Sequence, residues 1–298
     1  MEQFIDLRAL ARVRDMELVA RSVATGFLHG VQASEQRGVG IEFSQYRAYE
    51  PGDAPSRIDW KLYARSDRYF VREAERESET SVWLVLDTSR SMMLGSEQGV
   101  WNKFDYGRYL TATLAYLAQS QGDRVGLLTL GGGAPTLIPA LAGTRQWHRI
   151  LHSLDDLTAG GAFPAHENIG AEIARLQGPG LVILISDLHQ ERGEISDFLR
   201  LVSTQHNEVA TLRLECNDER DFPFEGPVRF EDLETGESVL ANGRAARAKY
   251  LSSREQWLTE LKRRLSQWEV GLDTVCSDEP LDAGLHAFLE RRRRGLVA

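Results

Sequence analysis

The sequence predicts an α/β protein: a mainly parallel, six-stranded sheet flanked by helices, with a small N-terminal α+β subdomain and an inserted β-hairpin. Three observations lead there. After Ser81, residues 82–86 form an uninterrupted apolar run that ends in Asp87, Ser89 and Ser91, and residues 181–185 form a second that ends in Ser186 and Asp187. Apolar runs of this length read as parallel strands buried on both faces. From residue 81 onward such runs alternate with segments of helical periodicity, which is what parallel strands joined by crossover helices require.

Taken in order, residues 4–26 carry Phe4, Leu7, Leu10, Ala11 and Leu18 at helical spacing, the mark of an amphipathic helix. Residues 38–65 are polar and turn-rich, with Pro51-Gly52-Asp53 as the turn signal, and a strand is expected at 69–73 beside the alternating Glu73, Glu75, Glu77 and Glu79. Arg47, Arg57 and Arg65 are placed to bond Asp53, Asp59, Glu75 or Glu77, an internal network that pins an irregular segment. We therefore divide the chain into an N-terminal helix and Arg/Asp-rich subdomain, 1–79, and a sheet domain, 80–298.

In the sheet domain a helix is expected over 104–121, a strand over 124–130, and, past Gly131-Gly132-Gly133, an edge strand over 136–139. The glycine run is not a phosphate loop, because no Gly-Lys-Ser or Gly-Lys-Thr follows it. Helices are expected at 144–157, 169–176 and 194–201 and a strand at 208–216. The insertion, about 219–242, carries a hairpin that turns at Glu234-Thr235-Gly236. A long helix over 244–267, a strand over 268–275 and a closing helix over 281–292, opened by Pro280, complete the chain.

The chemistry sits at the two strand ends. Asp87, Ser89 and Ser91 are spaced two apart, so a loop curling over the strand end aims three hard oxygens at one point. Such a donor set suits Mg²⁺, Mn²⁺ or Ca²⁺ better than zinc. Asp187 reaches the same point if its strand lies alongside, and in open α/β sheets this is the end where ligands bind. The competing reading is structural: Asp87 caps a turn and the serines bond backbone N–H groups.

Composition narrows the classes. Among 298 residues, 42% hydrophobic and 27% charged, there is no low-complexity bias. The formal charge of -9 argues against a nucleic-acid-binding surface and favours a basic partner. The run Arg291 to Arg294 reads as a solvated helix end, where cations suit the dipole. The two cysteines, Cys216 and Cys276, form no close pair and read as small buried thiols of a reducing compartment. The start lacks a basic-then-apolar leader and no stretch has the length a bilayer demands, so the expected location is the cytoplasm, without direct membrane insertion.

The words Glu42-Phe43, Arg47-Ala48-Tyr49, Pro51-Gly52-Asp53, Arg57-Ile58-Asp59-Trp60 and Ala64-Arg65 resemble the signature of domain-of-unknown-function family 58. The resemblance continues through the Asp87 loop, Ser186-Asp187 and Asp221-Phe222-Pro223-Phe224 to Pro280-Leu281. The D-x-S-x-S loop with a later Asp likewise resembles the metal-ion-dependent adhesion site of von Willebrand factor A-like domains. These resemblances imply a von Willebrand factor A-like, Rossmann-type sheet and one divalent ion, Mg²⁺ or Mn²⁺, at Asp87, Ser89, Ser91 and Asp187. They also imply a MoxR-type AAA+ ATPase as partner, since members of the family are often encoded beside one. One departure stands out: the loop that usually supplies a threonine after a glycine pair has Ala162 there, which implies weak or partial occupancy, since the alternatives Thr158, His166 and Glu167 do not sit where the motif expects its ligand. The functional expectation is a noncatalytic protein–protein interaction module or adaptor. The alternative is a metal-dependent hydrolase or phosphatase using Asp87 and Asp187, although such chemistry ordinarily wants an acid at the place of Ser89.

Overall fold

The structure, a computed structural model, describes residues 15–37, 46–48, 70–72, 81–176, 178–190, 192–205 and 207–295. The first part of the helix expected over 4–26, residues 4–14, and most of the Arg/Asp-rich segment, with Asp53, Arg57, Asp59, Arg65, Glu75 and Glu77, lie outside the described residues. The chain divides into two compact units, 28–79 and the combination of 1–27 with 80–298. Helix α1 (Met16–Arg37) runs from the second of these into the first. In the 28–79 unit, β1 (Tyr46–Ala48) and β2 (Phe70–Arg72) pair antiparallel, Tyr46 opposite Arg72.

The larger unit is the predicted α/β sandwich. Its strands are β3 (Ser81–Thr88), β4 (Arg124–Gly131), β5 (Thr136–Leu141), β6 (Gly180–Ser186) and β7 (Asn207–Glu215), followed, after the hairpin strands β8 (Pro227–Glu231) and β9 (Ser238–Asn242), by β10 (Gly271–Cys276). The six-stranded sheet has the order β10-β7-β6-β3-β4-β5, parallel throughout except for the antiparallel edge strand β5. As expected, β3 is central and β6 lies beside it.

Side-chain parity assigns the two faces. Trp83, Val85, Leu128, Leu130, Val182 and Leu184 point to one core, closed by α4 (Gly170–Arg175), α5 (Glu194–Ser203) and α7 (Gly243–Gln267). Leu86, Ile185 and Leu214 point the other way, toward α2 (Lys103–Ser120), which comes so close at Gly107 that a β-carbon there would lie 3.2 Å from both Leu86 and Leu214. A glycine inside a helix weakens it, but here it admits the helix onto the sheet. Asn102 starts α2 by accepting the Asp105 N–H at 2.7 Å, an ordinary N-cap. Helix α3 (Thr144–Asp155) packs on α2, as does α8 (Leu281–Gly295), which begins directly after Pro280 and ends over the Arg291 to Arg294 run.

The first helix departs from the expected stripe. Met16, Val19, Ala20, Val23 and Ala24 are buried, whereas Leu18 is 53% exposed. The buried positions follow the i, i+3, i+4, i+7, i+8 rule counted from Met16, and Leu18 falls on the opposite side of that cylinder. Cys216 and Cys276 are free and buried, as expected. A further helix, α6 (Asn217–Asp221), was not foreseen, because its five polar residues carry no periodicity; Glu219 closes it by accepting the Cys216 N–H at 2.9 Å. The hairpin β8–β9 turns where expected, with Asp232 accepting the Glu234 and Thr235 N–H groups. Among the described residues no helix is long and apolar enough to cross a membrane.

Candidate functional site

The C-terminal ends of β3 and β6 bring the four predicted residues into one neighbourhood, and strand parity sorts them. In the parallel register Leu86 lies opposite Ile185, so Asp87 falls opposite Ser186 on the same face of the sheet. The Ser186 hydroxyl donates to Asp87 Oδ2 at 2.5 Å, and the Ser89 N–H donates to Asp87 Oδ1 at 2.8 Å. Asp187, one residue on, turns toward the opposite face, where α2 begins. There Lys103 Nζ donates to Asp187 Oδ2 at 2.8 Å and to Glu219 Oε1 at 2.7 Å, while the His189 N–H satisfies Asp187 Oδ1 at 3.0 Å. Lys103 is fully buried.

The two aspartates therefore sit in different electrostatic settings. Burial, and then repulsion from Asp187, push Asp87 up from 3.8 to about 7 against the pull of its hydrogen bonds to Ser186 and Ser89. Burial opposes ionisation of Asp187 as well, but the Lys103 ammonium outweighs it and holds that carboxyl below its ordinary value. Glu219 is likewise pulled well down against its burial, by His189 and Lys103, and Lys103 is pushed up by Asp187 and Glu219 despite its own burial.

The hydroxyls converge as the spacing predicts. Ser91 lies in the short 3-10 turn Arg90–Met93, and its Oγ is 3.1 Å from Ser89 Oγ. The glycine-pair loop is fastened over them by backbone alone: Arg90 N–H donates to Gly161 O at 2.8 Å, Gly160 N–H to Thr88 O at 2.8 Å and Gly132 N–H to Gly160 O at 2.5 Å. Ala162 follows, exposed and without an oxygen in its side chain. None of the substitutes completes the set. Thr158 is exposed, and His166 turns toward Glu167 at 3.5 Å and Asp197 of α5 at 3.9 Å.

The donor set can be tested against a divalent ion. Among the described residues no group of three or more His, Cys, Asp or Glu side chains converges as a metal site, so any ion relies on the serine hydroxyls. Asp187 already has a cation, the Lys103 ammonium. Asp87 is fully buried and bonded only to neutral donors among the described residues. One carboxylate without a counter-charge, beside two converging hydroxyls, fits one hard cation held with few protein ligands.

Lys103, Glu219 and Ser186 are the residues of this site that the sequence reading did not single out. Ser186 was legible as the hydroxyl before Asp187. Lys103 was not, because a lysine opening an amphipathic helix reads as solvated.

With this geometry in hand, comparison with known proteins decides the family. A family model described as Protein of unknown function DUF58 matches residues 45–257. The chain belongs to this family. The DUF58 chain is 28% identical over 302 residues to Uncharacterized protein Rv1480 of Mycobacterium tuberculosis, covering 98% of the chain and 92% of that relative, and equally to Uncharacterized protein Mb1516 of Mycobacterium bovis. Similar solved structures include BatB from Bacteroides thetaiotaomicron (14% identity, TM-score 0.43, covering 72% of this chain and 98% of that one). They also include the SpRpn10 VWA domain (10% identity, TM-score 0.41, 70% and 94%).

One glycine holds the site's roof. Gly161 has φ +60°, and a β-carbon on it would lie 2.2 Å from Gly132 Cα. Gly161→Ala is expected to lose about 1–3 kcal/mol of stability through backbone strain and the displaced loop. Urea unfolding of the variant checks this, and an unchanged midpoint would show that the two loops are not locked together.

Proposed function

We propose that this DUF58 chain is a noncatalytic protein–protein interaction module, an adaptor of the cytoplasm. Its strand-end surface engages a partner in a manner dependent on Mg²⁺ or Mn²⁺ held by Asp87, Ser89 and Ser91, with Asp187 alongside. The observation that carries the reading is the arrangement at Asp87: a buried carboxylate whose only donors among the described residues are neutral, next to two hydroxyl oxygens 3.1 Å apart. A bound ion there supplies an open position for a partner's carboxylate. The residues of the chain do the rest. Ser186 and the Ser89 N–H fix the Asp87 oxygens, Lys103 neutralises Asp187, and the Arg90 to Leu94 segment offers Arg90, Met93 and Leu94 to solvent. The composition of that surface, an exposed cation beside exposed apolar side chains around a polar centre, suits a protein partner. The family resemblance supplies its proposed identity, a MoxR-type AAA+ ATPase. A hydrolase reading finds less support, since Ser89 stands where an acid would be wanted and its oxygen is turned to Ser91.

Calorimetric titration with MgCl₂ or MnCl₂ tests the ion. Wild type is expected to give weak saturable heats that vanish in the Asp87→Ala, Ser89→Ala double variant; identical heats for the two proteins would eliminate the site. Arg90 has a separate role at the rim. Arg90→Glu is expected to lower the association rate with the partner severalfold at low salt and to flatten its salt dependence, leaving dissociation nearly unchanged, as stopped-flow mixing would read.

A further inference from the structure

Beside the strand-end site lies a cavity of about 690 Å³. It is bounded by the loop after β3 (Leu94, Glu97), by α6 (Asp218, Glu219), by the hairpin (Phe230, Glu231) and by Tyr250 of α7. Its apolar wall is one aromatic cluster: the Phe222 ring centroid lies 5.1 Å from that of Phe224, 5.5 Å from that of Phe230 and 4.5 Å from that of Tyr250. Phe222 is buried and holds a left-handed backbone, φ +47°, at the end of α6, a conformation that a bulky residue adopts only where its surroundings enforce it. Tyr250 Oη donates to Glu219 O at 2.9 Å, which fastens α7 to α6 and fixes the wall.

The charges around this wall are one-sided. Lys103 and His189 reach the cavity, but Lys103 is bound to Asp187 and Glu219, and His189 lies 3.6 Å from Glu219. Asp218 accepts the Glu97 N–H, and Asp232 is turned into the hairpin. Glu97 and Glu231 both line the cavity and are exposed, one on the loop after β3 and one on the hairpin, and among the described residues neither carboxylate has a cation partner. An aromatic wall under unpaired carboxylates complements a flat, weakly hydrated cation, because a guanidinium stacks on rings while its fork meets carboxylates. The volume exceeds one side chain and matches a short segment of chain.

We propose that this cavity binds an arginine-bearing peptide segment of a protein partner, with the guanidinium against the Phe222, Phe224, Phe230 and Tyr250 cluster and the Glu97 and Glu231 carboxylates at its rims. The proposal rests on the reading of the chain as an interaction module, but it needs no ion at Asp87. Fluorescence anisotropy of the full chain with labelled Gly-Ser-Arg-Leu-Arg-Ser-Gly, and with the same peptide carrying citrulline for arginine, tests it in magnesium and in chelator. The arginine peptide is expected to bind equally in both and about tenfold more tightly than its neutral citrulline counterpart. Glu97→Gln with Glu231→Gln, both at exposed positions, should remove that preference and leave citrulline binding unchanged, while Phe230→Ala should weaken both peptides. Because the comparison in magnesium and in chelator isolates the ion, failure of the ion site and failure of the cavity are read separately. Equal binding of the two peptides, no binding of either, or binding that requires magnesium and disappears in Asp87→Ala would overturn the proposal.

Discussion

Lys103→Met is expected to lower the stability of the protein by about 3–5 kcal/mol, the largest loss we predict for a single substitution. The ammonium is fully buried and lies 2.8 Å from Asp187 and 2.7 Å from Glu219, so its removal strands the fully buried Asp187 carboxylate and takes one cation from the part-buried Glu219. Leaving the partners charged and unpaired is what makes such a change severe; replacing the whole network with neutral groups is not. The triple variant Lys103→Met, Asp187→Asn, Glu219→Gln should therefore recover most of the loss. Urea unfolding reads both, with a lowered midpoint and an unchanged slope for the single variant. A single variant within about 1 kcal/mol of wild type would show that the ammonium does not carry these charges. The network also contributes stability that is lost in acid. Asp187 and Glu219 titrate below their ordinary values of 3.8 and 4.5, so their contribution is present above those values and is lost as pH falls through the folded ones.

Asp87 runs the other way. Burial first, and then Asp187, raise its carboxyl to about 7 from 3.8, so the folded protein holds this proton more tightly than the unfolded chain does. The stability that follows is fully present below pH 3.8 and is lost as pH rises through about 7; the interval corresponds to up to about 4 kcal/mol. Asp87→Asn keeps the shape and the acceptor for Ser89 N–H but cannot ionise. The variant and wild type should be similarly stable near pH 4, and the variant should become the more stable by several kcal/mol as pH passes 7. Saturating Mg²⁺ should restore wild type at pH 8 and do nothing for the variant, because only the ionised carboxylate attracts a cation. A difference between the two proteins that does not vary with pH would refute the buried-charge description of Asp87.

How far the sequence foretold this site depends on the range of each interaction. The apolar runs of β3 and β6 and their acidic ends were legible because burial on both faces writes a strand continuously into adjacent residues. Their adjacency followed from topology rules, but the Ser186 contact to Asp87 was not foreseen: Asp187 was expected at that point, and strand parity turns it to the other face. The lysine was not legible, since its partners lie 84 and 116 residues away and a single Lys at a helix start looks like any solvated one. Helix α6 is hidden by its length and polarity, and Leu18 lies off the buried stripe of α1 because the apolar phase of residues 4–11 does not continue into Met16, Val19, Ala20, Val23 and Ala24. The cavity under the hairpin could not be inferred from pattern at all. It arises where Phe222, Phe224, Phe230 and Tyr250, from three separate elements, meet.

The most direct test of the central claim is surface plasmon resonance of the immobilised full chain against a MoxR-type AAA+ ATPase, in magnesium and in chelator, with wild type and Asp87→Ala side by side. We expect wild type to bind in magnesium and to lose at least about tenfold in affinity in chelator, and Asp87→Ala to bind weakly in both conditions. Equal binding by wild type and Asp87→Ala, with or without the ion, would contradict an ion-dependent interface at this strand end.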